Sequence, residues 1–236
     1  MNIKERTNKI SWDTVSQELD TRGYALVKDF LSEEECDELV GLYDGPADRF
    51  RSTINMSRYS FGSGQYKYFS YPLPRIVNDI RECMYPYLAQ VANHWAAALG
   101  TETRWPDSHA EFVEQCHKAE QKRPTPLLLR YAENDYNCLH QDLYGEVYFP
   151  LQMIFMLSNS LSDFEGGELV LVENRPRMQS RATSIELNQG SAAIIPVRER
   201  PRKGARGYHK VQIRHGVSEI TRGNRQTLGV IFHDAS

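Results

Sequence analysis

The chain has 236 residues, 40% hydrophobic and 25% charged, which is enough for a sizeable core and close to the balance of ordinary globular proteins rather than disordered or fibrous ones. A net charge of −3 with a pI near 6.2 excludes a surface built throughout to hold nucleic acid, although a local basic patch stays open. The first residues, "MNIKERTNKISWDTVSQELD", carry charges without an apolar core, and no apolar run is long enough to span a bilayer. A cytoplasmic protein with no membrane partner is expected, and Cys36, Cys83, Cys116 and Cys138, scattered without a CxxC pair, read as buried free thiols.

In chain order, "SWDTVSQELDTRG" predicts an amphipathic helix from a Ser11 cap to Gly23. "YALVKDF" predicts a strand, and "LSEEECDELVGLY" a helix opened by the Ser32/Glu35 capping box. Residues 49 to 74, rich in aromatic, Ser, Gly and Arg residues without a period, read as a long loop with short extended pieces. A helix from about Leu73 to Leu99 follows, with Ile76, Ile80, Cys83, Tyr87, Val91 and Trp95 on one face and Pro86 as a kink or break. A short helix is expected around "SHAEFVEQCHKAEQK".

Past Pro126 the pattern changes to eight short β-rich runs, from "LLLRYA" to "QTLGVIFHD", as in an antiparallel sandwich or barrel. Without repeat, linker or boundary, residues 1–236 read as a single domain: a helical and looped support region over 1–125 and a β core over 126–236.

"YNCLHQD" sets His140 and Asp142 two apart, so that on a strand both face one side while Gln141 faces away. His215 ends the apolar run "HKVQIRH" and supplies a third ligand. Two imidazoles and a carboxylate on one face of a metal, other positions open, suit non-haem Fe(II), with zinc as the alternative. Arg225, ten residues past His215, can clamp a dicarboxylate; otherwise it is a surface strand arginine, as Arg222 is expected to be a solvated turn residue. Tyr131 can present its phenol to the same cavity, with Tyr136 a weaker candidate, and Gln152 interrupts an apolar strand, where its amide needs a partner. Without a ligand, Tyr131 and Gln152 are simply core residues.

Together "RYAENDYNCLHQD", "DFEGGELVL", "NQGSAAIIP" and "RHGVSEITRGNRQTLGVIF" resemble the Fe(II)/2-oxoglutarate-dependent dioxygenases, in their prolyl 4-hydroxylase-like branch, over about residues 127 to 234. "LDTRGYALVKDFLSEEECDEL" is similar to the segment that precedes their core. The resemblance implies an α+β protein with a mainly β core, a double-stranded β-helix (jelly-roll, cupin-like) sandwich braced by N-terminal helices. It implies His140, Asp142 and His215 as the catalytic iron ligands, Arg225 and Tyr131 as 2-oxoglutarate-binding residues, and Glu168 of the "GGEL" turn as structural; Gln152, from its strand position alone, is a further co-substrate-binding candidate. The cofactors implied are Fe(II), with 2-oxoglutarate and O2 as co-substrates and ascorbate as an accessory reductant.

The expected reaction is hydroxylation of a C–H bond of a peptide, protein or small amino-acid-like substrate, releasing succinate and CO2. The alternative on this core is a nucleic-acid oxidative demethylase, to which "RYAENDYNCLHQD" is also similar and which Tyr59, Phe61, Tyr66 and Tyr68 would suit. The ten-residue spacing to Arg225 favours the hydroxylase. A non-catalytic jelly-roll binding module is the third reading. Two Arg-rich segments, 173–182 and 197–214, are expected to frame the site entrance, as solvated loops or as an electropositive rim.

Overall fold

The computed structural model describes residues 1–175 and 177–236, so one residue of the 173–182 segment lies outside the described residues. A seven-stranded sheet runs in the order Ala25–Val27, Ala192–Pro196, Leu151–Met156, Arg225–Ile231, Leu127–Tyr131, Gln65–Phe69, Phe50–Asn55. A second sheet runs Arg181–Ile185, Leu169–Asn174, Gly207–Val217, Tyr136–His140, Gly62–Ser63, with Glu199–Gly204 also paired to Gly207–Val217. A two-stranded piece joins Phe164–Gly166 to Ile220–Gly223. Among the described residues all pairings are antiparallel and the sheets do not close into a barrel, giving the mainly β sandwich expected.

The large sheet is apolar on both faces for different reasons. Alternate residues Met153, Phe155, Leu228 and Val230 pack outward against Val77, Ile80, Leu88 and Trp95 of the helix Arg75–Ala98, in one cluster with Leu19, Cys36 and Leu39 from the helices before it. The opposite residues, Tyr131, Met156, Ala193 and Ile195, face Leu169, Leu171 and Ile213 of the second sheet. The period of two thus divides one strand between a helical brace and a cup. The expected helical brace is present.

Local signals mostly act where expected. Ser32 and Glu35 form a reciprocal capping box at Glu33–Leu42, worth about 1 kcal/mol. The helix Trp12–Arg22 ends on left-handed Gly23, but the Ser11 hydroxyl makes no bond to its backbone and pairs with Thr14 at 2.8 Å. Ser108 caps His109–Lys118.

Four expectations need correction. Residues 50–55 and 65–69, expected only as short extended pieces of a long loop, are paired strands that extend the large sheet. Pro86 does not divide Arg75–Ala98; it removes one donor, that facing the Glu82 carbonyl, and the remaining ladder continues. Of the face expected for that helix Ile80, Val91 and Trp95 are buried, but Ile76, Cys83 and Tyr87 are half-buried, and Val77, Arg81, Met84, Tyr85 and Leu88 are buried with the first three. Arg81 belongs inside because Asp234 meets it there at 2.9 Å. The thiols of Cys36 and Cys116 are buried, but Cys83 is half-buried and Cys138 exposed.

Candidate metal centre and co-substrate pocket

Tyr136–His140 and Gly207–Val217 are neighbours in the second sheet, with His140 directly opposite His215. Cross-strand partners stand side by side on one face, and the two imidazole centroids are 4.3 Å apart. Close approach here depends on Gly216, because a Cβ at that position would lie 2.6 Å from the Asn137 carbonyl oxygen. Asp142 follows just past the strand end and turns back: its oxygens lie 3.6 Å from His140 Nε2 and 3.1 Å from His215 Nε2. Gln141 points the other way, donating to the Ile213 carbonyl at 2.8 Å and the Arg198 carbonyl at 3.1 Å. The alternation expected of His140-Gln141-Asp142 is present although the strand stops at His140.

These three side chains bring ligand atoms within 4.8 Å of one another, and their protonation suits a cation. His140 Nδ1 lies 2.8 Å from the Cys138 carbonyl, the partner to which an Nδ1–H donates, which leaves Nε2 bare. Burial and the neighbouring His215 push the His140 imidazole down from its ordinary value, against the pull of Asp142. Burial alone would raise the Asp142 carboxyl; His140, His215 and the Tyr144 hydroxyl outweigh it and hold the carboxyl well below the usual carboxylate range. Tyr144 donates to Asp142 at 2.8 Å and receives from Tyr68 at 2.9 Å.

Arg225 opens the strand Arg225–Ile231 opposite Tyr131, its guanidinium 5.6 Å from that ring. It is 1% exposed, and its Nε and Nη1 have no partner among the described residues. Burial lowers it to about 10, Tyr131 and Glu168 drawing it back, so it remains a cation at neutral pH. A buried guanidinium with free donors, facing a His-Asp-His cluster across one cavity, fits a dicarboxylate that reaches from the metal to the arginine. Gly167 of "GGEL" makes room for it: a Cβ there would sit 2.8 Å from Arg225 Cδ.

Tyr131, fully buried, lines this cavity with its hydroxyl accepting from Asn137 at 3.2 Å, its own ionisation raised to about 12 by burial. Gln152 lines it too, its amide nitrogen 3.5 Å from His215 Nε2. Tyr136 is exposed, and Arg222 pairs with Glu165 at the surface. Glu168 bonds the Ser218 hydroxyl and holds the turn, as expected. Sequence reasoning missed Asn137, Thr227 and Tyr144, and named Tyr68 only among the aromatics of the nucleic-acid reading. Thr227 lies two residues beyond Arg225 on the same strand, the spacing that returns to the same face, and Tyr144 lies two residues beyond Asp142, past the strand end.

A second cavity of about 360 Å³ adjoins the first, sharing His140, Asp142, Asn137, Leu127 and Leu129. Its outer wall is aromatic, with Phe61, Tyr66, Tyr68 and Tyr144, and Tyr59 stacks on Phe61 at 5.5 Å. The Arg-rich segments do not frame this entrance. Residues 199–204 and 207–217 are paired strands, and among the described residues no arginine from them lines either cavity.

A family model described as "Oxygenase, catalysing oxidative methylation of damaged DNA" (Oxygenase-NA) matches residues 64–235. Two Mycobacterium tuberculosis proteins named as uncharacterized, from strains CDC 1551/Oshkosh and H37Rv, are each 46% identical over 168 residues, 71% of this chain and 72% of theirs. A Pseudomonas putida prolyl-4-hydroxylase shares the fold with a TM-score of 0.54 at 12% identity, over 95% of this chain and 99% of its own. A Burkholderia pseudomallei oxidoreductase of the 2OG-Fe(II) oxygenase family does so with a TM-score of 0.57 at 12% identity, over 97% and 94%. Fe(II), 2-oxoglutarate and O2 are the cofactor and co-substrates of such enzymes. With most of its length matched by the family model and its fold that of the prolyl-4-hydroxylase-like enzymes, the chain belongs to the Oxygenase-NA family of Fe(II)/2-oxoglutarate-dependent oxygenases.

Proposed function

We propose that this oxygenase, acting as a single domain over residues 1–236, hydroxylates a C–H bond on a planar, ring-bearing substrate, and that its substrate class is a methylated base in nucleic acid. The observation that carries the reading is the aromatic cavity beside the His-Asp-His cluster, whose walls suit an unstacked base. The family description points the same way, which reverses the order of the two readings drawn from the sequence.

His140 Nε2, the Asp142 carboxylate and His215 Nε2 would hold Fe(II). Arg225 would grip the far carboxylate of 2-oxoglutarate in bidentate fashion, with Tyr131, Asn137, Thr227 and Gln152 as its polar surroundings. When the metal and both co-substrates are bound, oxidative decarboxylation to succinate and CO2 supplies the oxidising power. The chain's residues orient the reactants and exclude water. One oxygen atom of O2 enters succinate and the other the methyl group; the hydroxymethyl product on nitrogen then loses formaldehyde, leaving N–H. This chemistry removes a methyl group already present on the base.

The hydroxylase of a peptide, protein or small amino-acid-like substrate is the second reading, favoured by the ten-residue interval from His215 to Arg225. Four free cysteines support a reducing, cytoplasmic setting, and no helix among the described residues is long and apolar enough to cross a membrane.

The test joins an anaerobic Fe(II) and 2-oxoglutarate titration, read by the visible metal-to-ligand charge-transfer band, to succinate release with methylated and unmethylated oligonucleotides. A band, steeply salt-dependent oligonucleotide binding and methyl-dependent succinate and formaldehyde release are expected. A band without oligonucleotide binding would transfer the assignment to the second reading. No band would leave a binding module.

A further inference from the structure

The Arg-rich segments that leave the metal cavity alone converge elsewhere. A cleft of about 160 Å³ opens where the helix end Thr21–Tyr24 meets the strand Leu169–Asn174 and the strands 199–204 and 207–217. Five arginines line it, Arg22, Arg175, Arg181, Arg200 and Arg202, with Glu173 as the acidic residue of the lining.

The arrangement is built from the inside outward. Arg200 is 1% exposed; its Nη1 donates to the Asp20 carbonyl at the helix end at 2.9 Å, and its Nε and Nη2 donate to Glu173 Oε2 at 3.2 and 2.6 Å. Gly23 permits that contact, since a Cβ there would lie 2.7 Å from Arg200 Nε. Glu173 Oε1 then accepts from Arg175 Nε at 2.5 Å and Arg202 Nη1 at 2.8 Å. One carboxylate, fixed by a buried cation, therefore aims two further guanidiniums.

The charges do not balance. Glu18 pairs with Arg22 at 2.9 Å, so five guanidiniums meet two carboxylates, an excess of three positive charges. Glu173 has its two oxygens taken up by three arginines. Among the described residues Arg181 has no carboxylate partner, and Arg175 and Arg202 each bond Glu173 through a single nitrogen, leaving the rest of each fork for another acceptor. Like charges held this close repel unless an anion joins them, and planar guanidinium forks match the oxygens of phosphoryl groups.

We propose that this cleft is a binding site for a phosphoryl dianion, separate from the iron and 2-oxoglutarate cavity and held mainly by Arg175, Arg181 and Arg202. Its assignment is independent of what the oxygenase oxidises. The phosphoryl group is that of a free phosphorylated metabolite or the terminal phosphate of a nucleic acid strand.

Inorganic phosphate titrated into the full chain by calorimetry, at constant ionic strength in chloride, tests the site. Saturable binding of one phosphate per chain is expected, weakened roughly tenfold or more in Arg181→Gln and in Arg202→Gln, while Lys203→Gln binds as the wild type does. The two arginine variants should keep the iron charge-transfer band, which separates failure here from failure of the oxygenase reading. Nucleoside monophosphate, and matched oligonucleotides with and without a terminal phosphate, identify the source: either preference, if lost in Arg202→Gln, supports the site. Binding that does not saturate, that chloride matches, or that both arginine variants retain in full would overturn the proposal.

Discussion

Two fully buried arginines, each 1% exposed, stand in opposite circumstances. Under the helical brace, Arg81 donates to the Ile231 and Phe232 carbonyls at 3.0 Å each, to Asp234 at 2.9 Å and to the Tyr71 hydroxyl at 3.1 Å. In the cup, Arg225 has a tyrosine ring beside it and two nitrogens with no acceptor among the described residues. Desolvating a guanidinium costs several kcal/mol unless partners compensate. Where the protein supplies every partner the arginine is structural; where it withholds them, the missing acceptor is, on the function proposed above, a ligand's.

Substituting each arginine should separate the two cases. Arg81→Met leaves Asp234 buried without its cation and should cost about 3–5 kcal/mol of stability, measured by urea denaturation, with 2-oxoglutarate binding by the folded protein unchanged. Arg225→Met removes an uncompensated charge, so its unfolding midpoint should not fall, while 2-oxoglutarate binding weakens by about 2–5 kcal/mol, seen as a shifted titration of the charge-transfer band. A destabilised Arg225→Met with unaltered 2-oxoglutarate affinity would erase the distinction.

Smaller effects sharpen it. Tyr144→Phe takes one hydrogen bond from Asp142 and should weaken Fe(II) binding by roughly 10–100-fold, with little change in stability. His109, behind the large sheet, lies 2.9 Å from the Phe232 carbonyl and is lowered to about 3 by burial and by Arg81. Its folded value lies below its unfolded value, so the unfolded chain takes up the proton first and stability falls as pH drops. The loss should be about 1 kcal/mol from about pH 7 to about pH 5.5. His109→Gln, which keeps a donor for the carbonyl, should flatten that part of the stability curve.

The sequence made the candidate metal cluster legible because its signals are short-range. His140 and Asp142 share a face by alternation, His215 ends an apolar run, and Arg225 follows at a spacing one turn of chain can deliver. What stayed hidden depends on distant partners. Arg81 looks polar on a helix until Asp234, 153 residues later, is placed against it. The segment 197–214 reads as a solvated loop until Glu173 gathers its arginines. Residues 50–55 are mostly half-buried at the sheet's edge, so no clean alternation marks them as a strand.

Gly167 takes part in no hydrogen-bonding side-chain contact and carries no charge, yet its backbone sits at φ +64° with Arg225 Cδ where a methyl would be. The proposed seat of the co-substrate is thus shaped by a missing carbon atom. An alanine there would displace the guanidinium without touching the His-Asp-His cluster, and a chain so altered would keep its proposed iron ligands while losing the proposed grip on 2-oxoglutarate.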